Sequence, residues 1–115
     1  MQPLSGVRVL DLSRILAGPH AAQTLGDLGA EVLKLEAPWG DDTRSWGPPF
    51  QSGFDGEEVA SYFLSCNRGK RIETVNIKQE QARLRTLFAE FDIVVENFKP
   101  GTFDAIVGEV PERVI

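Results

Sequence analysis

Cysteine is nearly absent from this 115-residue chain. The single Cys66 excludes an internal disulfide and leaves the cytoplasm as the default setting. There is also only one histidine, His20, and zinc asks for three or four ligands, so Cys66 and His20 do not make a metal site. A basic excess is missing too. Twelve Lys and Arg face seventeen Asp and Glu, a net charge of −5, which argues against a nucleic-acid partner. No apolar run approaches the roughly 20 residues that cross a bilayer, so no membrane partner is expected. Met1-Gln2-Pro3-Leu4-Ser5-Gly6 lacks the basic cluster and apolar core of a signal peptide. Internal repeats and low-complexity tracts are absent. What is present is ordinary for one small soluble domain: 42% hydrophobic and 25% charged residues.

The elements read as alternating strands and helices. Val7 to Leu12 fits a first buried strand. Gly18-Pro19 then opens a helix to Leu28, with Ala21, Ala22, Leu25 and Leu28 on its apolar face. Gly29 follows, where a helix end wants a residue that tolerates positive φ. Ala30 to Glu36 is a second strand whose Val and Leu residues alternate with charges, predicting one wet face. Strand, helix and strand in roughly 30 residues is the size of a βαβ unit.

From Ala37 to Glu57 the periodicity disappears. Trp39, Trp46, Phe50 and Phe54 in that stretch predict an ordered loop that packs on something, because disordered loops are poor in aromatics. Ala60 to Cys66 suits a short helix, and Ile72 to Ile77 alternates as a strand. Gln79 to Phe91 is an amphipathic helix with Ala82, Leu84, Leu87, Phe88 and Phe91 inward. Ile93 to Val95 is a strand, and Phe103, Ile106 and Val107 sit at the spacing of one more short helix. Arg113-Val114-Ile115 reads as the start of a further strand, so the chain is expected to be a fragment or to complete itself on a partner.

Chemistry is expected where strands end. Val94-Val95-Glu96-Asn97-Phe98-Lys99-Pro100-Gly101 runs from a buried strand into a turn, and ligands of open α/β sheets bind at such ends. The Asn97 amide and the flat Phe98 ring suit an aromatic or amide-bearing ligand. The same residues would equally make a plain turn, with Asn97 capping the next helix and Phe98 in the core. Asp11 to Pro19 is a strand end entering a helix start, where free N–H groups and Arg14 could hold phosphate. No Gly-x-Gly-x-x-Gly turn occurs there, which disfavours a plain NAD-binding domain, although Glu36 imitates the ribose-binding acid of that fold. Arg68, Lys70, Arg71 and Lys78 form either a solvated basic turn or a phosphate clamp. Asp41 and Asp42 are candidates for acid–base work but more often serve as turn residues. Cys66 is a weak candidate nucleophile.

In this order the pieces resemble the class III coenzyme A transferases, the CaiB/BaiF family. It includes formyl-CoA:oxalate, carnitine and bile-acid CoA transferases and the α-methylacyl-CoA racemases. The stretches that carry the resemblance are Pro3 to Arg14, Leu16 to Pro19, Leu25 to Glu36, Gly40 to Arg44, Asn67 to Arg71 and Val94 to Gly101, nearly the whole chain. The resemblance implies an α/β fold with a Rossmann-like core of short, largely parallel strands and flanking helices. Residues 1–115 would form the N-terminal CoA-binding part of the large domain. It also implies an acyl-CoA and a small carboxylic acid as partners, coenzyme A as substrate with no further cofactor, and an interlocked homodimer.

Carried over by position, CoA contacts fall at Arg14, Leu16, Ala17, Val75, Lys78, Asn97 and Phe98. Basic residues that some relatives place at two positions are replaced by Ala37 and Ala105, a loss of phosphate contacts. The aspartate nucleophile that the resemblance implies matches none of this chain's aspartates, which predicts a chain that binds CoA without transferring it. The rival expectations are a stand-alone CoA- or nucleotide-binding or regulatory module without catalysis, and a racemase relative.

Overall fold

The computed structural model describes residues 1–53 and 55–115; Phe54, one of the loop aromatics, lies outside the described residues. Four strands form a parallel sheet: β1 (Arg8–Asp11), β2 (Glu31–Glu36), β5 (Arg71–Thr74) and β6 (Ile93–Val95). Between β2 and β5 lie a 3-10 turn (Asp42–Ser45) and an antiparallel hairpin of β3 (Phe50–Ser52) and β4 (Glu58–Ala60). The helices are α1 (Ala17–Asp27), α2 (Ser61–Cys66), α3 (Gln81–Glu90) and α4 (Thr102–Val107).

The order across the sheet is β5-β2-β1-β6. Counted by parallel strands alone this is third, second, first, fourth, the order of a Rossmann-like half. Val9 aligns with Val32 and Ile93, and Lys34 with Ile72. Successive side chains of a strand point to opposite faces. Val9 and Val32 therefore pack with Ala22 of α1. Leu10, Leu33 and Leu35 pack on the other face with Leu84, Phe88, Phe91 and Val107.

The periodicity placed most elements within two or three residues of their observed bounds. Gly29 has φ +110°, as its place after α1 demands. Three readings change. β5 ends at Thr74; Val75 and Asn76 lead irregularly out of it, and Ile77 already belongs to the following turn rather than to more strand. Ala82 is exposed, and Leu84, Phe88 and Phe91 carry the buried face of the α3 region. Ala21 and Leu28 are likewise exposed, while Gln23 of α1 is buried.

Of the aromatics in the long segment after β2, Trp46 packs edge-on to Tyr62 of α2 with ring centroids 5.4 Å apart. The β3–β4 hairpin was not legible there because Gly and Pro interrupt any alternation. Arg113 donates to the carbonyls of Phe88 and Phe91 at the end of α3. Ile115 then accepts from the Val94 N–H at 2.9 Å and donates to the Asp92 carbonyl at 3.0 Å, the bonding pattern of a single parallel bridge outside β6.

Phe88 is 1% exposed between α3, α4 and the sheet. Phe88→Ala is expected to cost about 3–5 kcal/mol in urea unfolding. Ala82→Ser, on the exposed face of α3, is expected to stay within about 0.5 kcal/mol. Similar losses for the two variants would show that this side of the sheet is packed differently.

Candidate functional site

β1 and β6 are neighbours whose connections leave toward opposite halves of the sheet. Open parallel sheets take ligands beyond the carboxyl ends of the strands at such a switch point. Here those ends are built on buried charge. Asp11 closes β1, and its carboxylate meets the Lys70 ammonium at 2.8 Å with both side chains 0% exposed. Lys70 also donates to the carbonyl of Pro19 and the side-chain oxygen of Asn67, each at 2.8 Å, so all three of its protons are used. Burial pushes the Lys70 amine below its usual value, against the opposing pull of Asp11.

The second oxygen of Asp11 accepts from the N–H and the hydroxyl of Ser13. The Ser13 carbonyl in turn accepts from Lys34 at 3.1 Å, and Lys34 pairs with Asp41 at 3.0 Å, again without solvent access. Asp41 is further bonded by the N–H and hydroxyl of Thr43 at 3.0 and 2.8 Å. Burial alone would raise the Asp41 carboxyl, but the Thr43 N–H, Lys34 and the Thr43 hydroxyl outweigh it and hold the group below its ordinary 3.8. Glu36, at the end of β2, takes the Arg44 guanidinium in a two-pronged bond of 2.8 and 2.7 Å and also the Asp41 N–H. The Arg44 fork lies over the Phe63 ring, 4.0 Å from its centroid.

This arrangement replaces several sequence expectations. β2 has no wet face: Lys34 and Glu36 sit inside because each meets an opposite charge and a further hydrogen-bond partner. Glu36 is committed to Arg44, not free for a ribose. Lys70 belongs to neither a solvated turn nor a phosphate clamp. Arg68 pairs with Asp27 and Arg71 with Glu31, so the basic group does not converge. Asp41 is buried and bonded, Asp42 lies 3.7 Å from Arg14, and Cys66 is a buried free thiol.

Between the two buried pairs runs the loop from Leu12 to Leu16. Ile15 has φ +74°, a left-handed conformation that a β-branched residue adopts only under constraint. Gly18 lets the loop fold back onto α1, since a Cβ there would fall 2.3 Å from Ser13 Cβ. Asn97 closes the other side. Its side-chain oxygen accepts from the Arg14 N–H at 3.0 Å, and its NH₂ donates to the Arg14 carbonyl at 2.8 Å. Asn97 thus staples the β6 end to the β1 end across the switch point. It does not cap α4, whose N-cap is Gly101.

A groove runs over the strand ends beside this staple. Its inner part is lined by Leu12, Ala37, Val75 and Ile77, and Phe98 continues into an outer part with Arg14, Lys78 and Trp39. Of the seven site residues expected from sequence, Arg14, Val75, Lys78 and Phe98 come together here. Leu16 and Ala17 are exposed at the start of α1 and do not line the groove, and Asn97 stands behind Arg14. Trp39, Thr102 and Ile106 also line it. They were not singled out, because an irregular loop and a short helix give no period that points a side chain at a strand end.

Comparison with known proteins places these observations. The profile described as CoA-transferase family III matches residues 4–108. Succinyl-CoA:glutarate CoA-transferase from Mus musculus is 54% identical over 104 residues, covering 88% of this chain and 23% of that protein. Succinate–glutarate CoA-transferase from Agrobacterium fabrum is 52% identical, covering 84% of this chain and 25% of that protein. The crystal structure of a CaiB/BaiF family protein from Brucella suis superimposes with a TM-score of 0.88 at 51% identity, over 94% of this chain and 29% of that one. The chain thus spans about a quarter of the length of the curated relatives it matches.

Lys70→Met would leave Asp11 buried without its cation, and the expected loss is about 3–5 kcal/mol in urea unfolding. A loss under about 1 kcal/mol would show that Asp11 finds water. A second expectation concerns acid. A carboxyl held below its unfolded value adds stability above that value and loses it as pH falls through the folded pKa. The Asp41 contribution is therefore present above 3.8 and is lost progressively as pH falls from there through the lower folded-state value. Unfolding midpoints of Asp41→Asn are expected to change less than wild type between pH 5 and pH 2, and equal slopes would assign the acid response to other groups.

Proposed function

The chain belongs to CoA-transferase family III, and from that membership we propose that its groove takes the coenzyme A portion of an acyl-CoA. The whole enzyme would move CoA from a thioester to a carboxylic acid, with coenzyme A as substrate and no further cofactor. The observation that carries this reading is convergence. Arg14, Val75 with Lys78, and Phe98 come from three separate stretches of sequence and meet beyond the carboxyl ends of the strands. They supply two cations, an apolar floor and a flat ring, and CoA brings phosphates, an apolar pantetheine arm and a purine. Leu16, Ala17 and Asn97 remain part of the proposed contact set, through backbone groups of the loop that Asn97 holds.

Residues 1–115 would act as one binding unit, and the attacking carboxylate would come from elsewhere in the whole protein. Asp11 and Asp41 are buried in ion pairs, so neither can reach a thioester carbonyl. A carboxylate nucleophile divides acyl transfer into two easier steps through a covalent intermediate. The names of the relatives point to short dicarboxylic acids, and we extend that substrate class to this chain. A homodimer in the cytoplasm completes the proposal. Its support is the open flank of the sheet: parallel sheets are normally covered on both faces, yet β5 is largely exposed, with Ile72 at 39%. No helix among the described residues is long and apolar enough to cross a membrane.

Isothermal titration with CoA tests the reading. Wild type is expected to bind saturably. Lys78→Ala, at an exposed position, is expected to bind several-fold more weakly at low salt, with the difference shrinking as salt screens the contact. Absence of saturable heat from the folded wild-type chain would overturn the proposal.

A further inference from the structure

Among the described residues, Trp39 is 74% exposed, more than any other large apolar side chain except those at the two chain termini. Its loop is nonetheless firmly held. The Gly40 N–H donates to the Ala37 carbonyl at 2.8 Å and closes a turn around Pro38 and Trp39, with Gly40 at φ +80°. The next N–H, of Asp41, is bonded to Glu36, which is itself gripped by Arg44. Both ends of the turn are therefore anchored in the buried ion pairs. The indole makes no pair with another aromatic ring among the described residues.

What the indole lines is the outer groove, shared with Arg14, Asn76, Lys78, Phe98 and Ile106. Two of the lining side chains are cations and none is a carboxylate, in a chain of net charge −5. The cationic balance is local, although Arg14 also faces Asp42 at 3.7 Å on the surface. A preorganised, uncovered aromatic ring beside two cations fits an anion that carries its own flat ring.

We propose that Trp39 is a binding residue of this groove, its indole stacking on the purine of a nucleotide whose phosphates meet Lys78 and Arg14. The proposal rests on the coenzyme A reading above and assigns the outer groove to the nucleotide end of that molecule. It also accounts for two small residues. Ala37, beside the turn, and Ala105, in α4, offer no charge to a phosphate. Stacking supplies attraction that needs no further cation, since every base has a π-face.

The chain has two tryptophans, and Trp46 is engaged with Tyr62, so Trp46→Phe leaves Trp39 as the reporter. That variant is titrated with CoA, adenosine 3′,5′-bisphosphate and pantetheine while indole emission is followed. Saturable change is expected with the first two and none with pantetheine. Calorimetry with CoA is expected to show about tenfold or weaker binding for Trp39→Ala and near wild-type binding for Trp39→Phe. Equal CoA affinity in wild type and Trp39→Ala would overturn the role of Trp39 while leaving the groove as the CoA site. A response to pantetheine but not to the bisphosphate would overturn the purine assignment. No CoA binding by folded wild type would remove both readings together.

Discussion

The carboxylate of Asp11 and the ammonium of Lys70 meet at 2.8 Å with neither exposed, and two residues further on Ser13 links that pair to a second, Lys34 with Asp41. These contacts decide where the strand ends point. An isolated charge inside a protein is very costly, and a pair is tolerated only when geometry and extra hydrogen bonds satisfy both members. Each ammonium here has polar partners from different segments. Lys70 gathers the end of β1, the start of α1 and the end of α2, and Lys34 gathers the β1–α1 loop and the segment after β2. Apolar residues could fill that volume at comparable stability, but they would accept small shifts of register. Ionic groups with a fixed number of bonds would not.

The constraint reaches the groove in two ways. It holds the Ser13–Leu16 loop in a conformation strained at Ile15, with Asn97 fastening the outer side to β6. It also consumes acidic groups. Asp11, Glu36 and Asp41 all lie close to the strand ends, and each is turned inward onto a cation. The surface they vacate is left to Arg14 and Lys78. An acidic protein can thus present a locally cationic site without any excess of basic residues.

Most of the fold was legible because it is carried by periodicity. Leu84 and Phe88 fall at helical spacing, Gly29 sits where a left-handed residue ends α1, and Ile93 to Val95 form an uninterrupted apolar run. The site was legible in part. Arg14, Lys78 and Phe98 lie just beyond strands in the sequence, so that position marks them, whereas Val75 reads as strand interior and only the family resemblance points to it. Lys34 and Lys70 were misread for one physical reason. A lysine in sequence looks solvated, and only the tertiary arrangement of Asp11, Asn67 and Asp41 supplies partners that let it go inside. Asn97 was assigned a ligand or a helix cap, since nothing in the sequence places the Arg14 backbone within its reach across 83 residues. Trp39 carried no signal beyond its aromaticity, because a single ring in a Gly- and Pro-rich loop has no period to orient it.

The division of labour in the groove follows from the worth of each contact in water. Ion pairs at exposed side chains contribute little and fade with salt. Arg14 is half exposed and already shares its charge with Asp42. Two such cations can steer an anion toward the groove more readily than they can hold it there. The surfaces that retain affinity in salt are flat and apolar, and the groove has them in Phe98 and Trp39. Stacking, however, does not distinguish one ring system from another. Discrimination has to come from hydrogen bonds with fixed direction, and backbone groups supply those only when the backbone cannot move. The loop after β1 meets that requirement, held by two buried lysines beneath and by Asn97 at its side. The same buried charges that set the strand ends therefore give the loop the rigidity on which selective recognition depends.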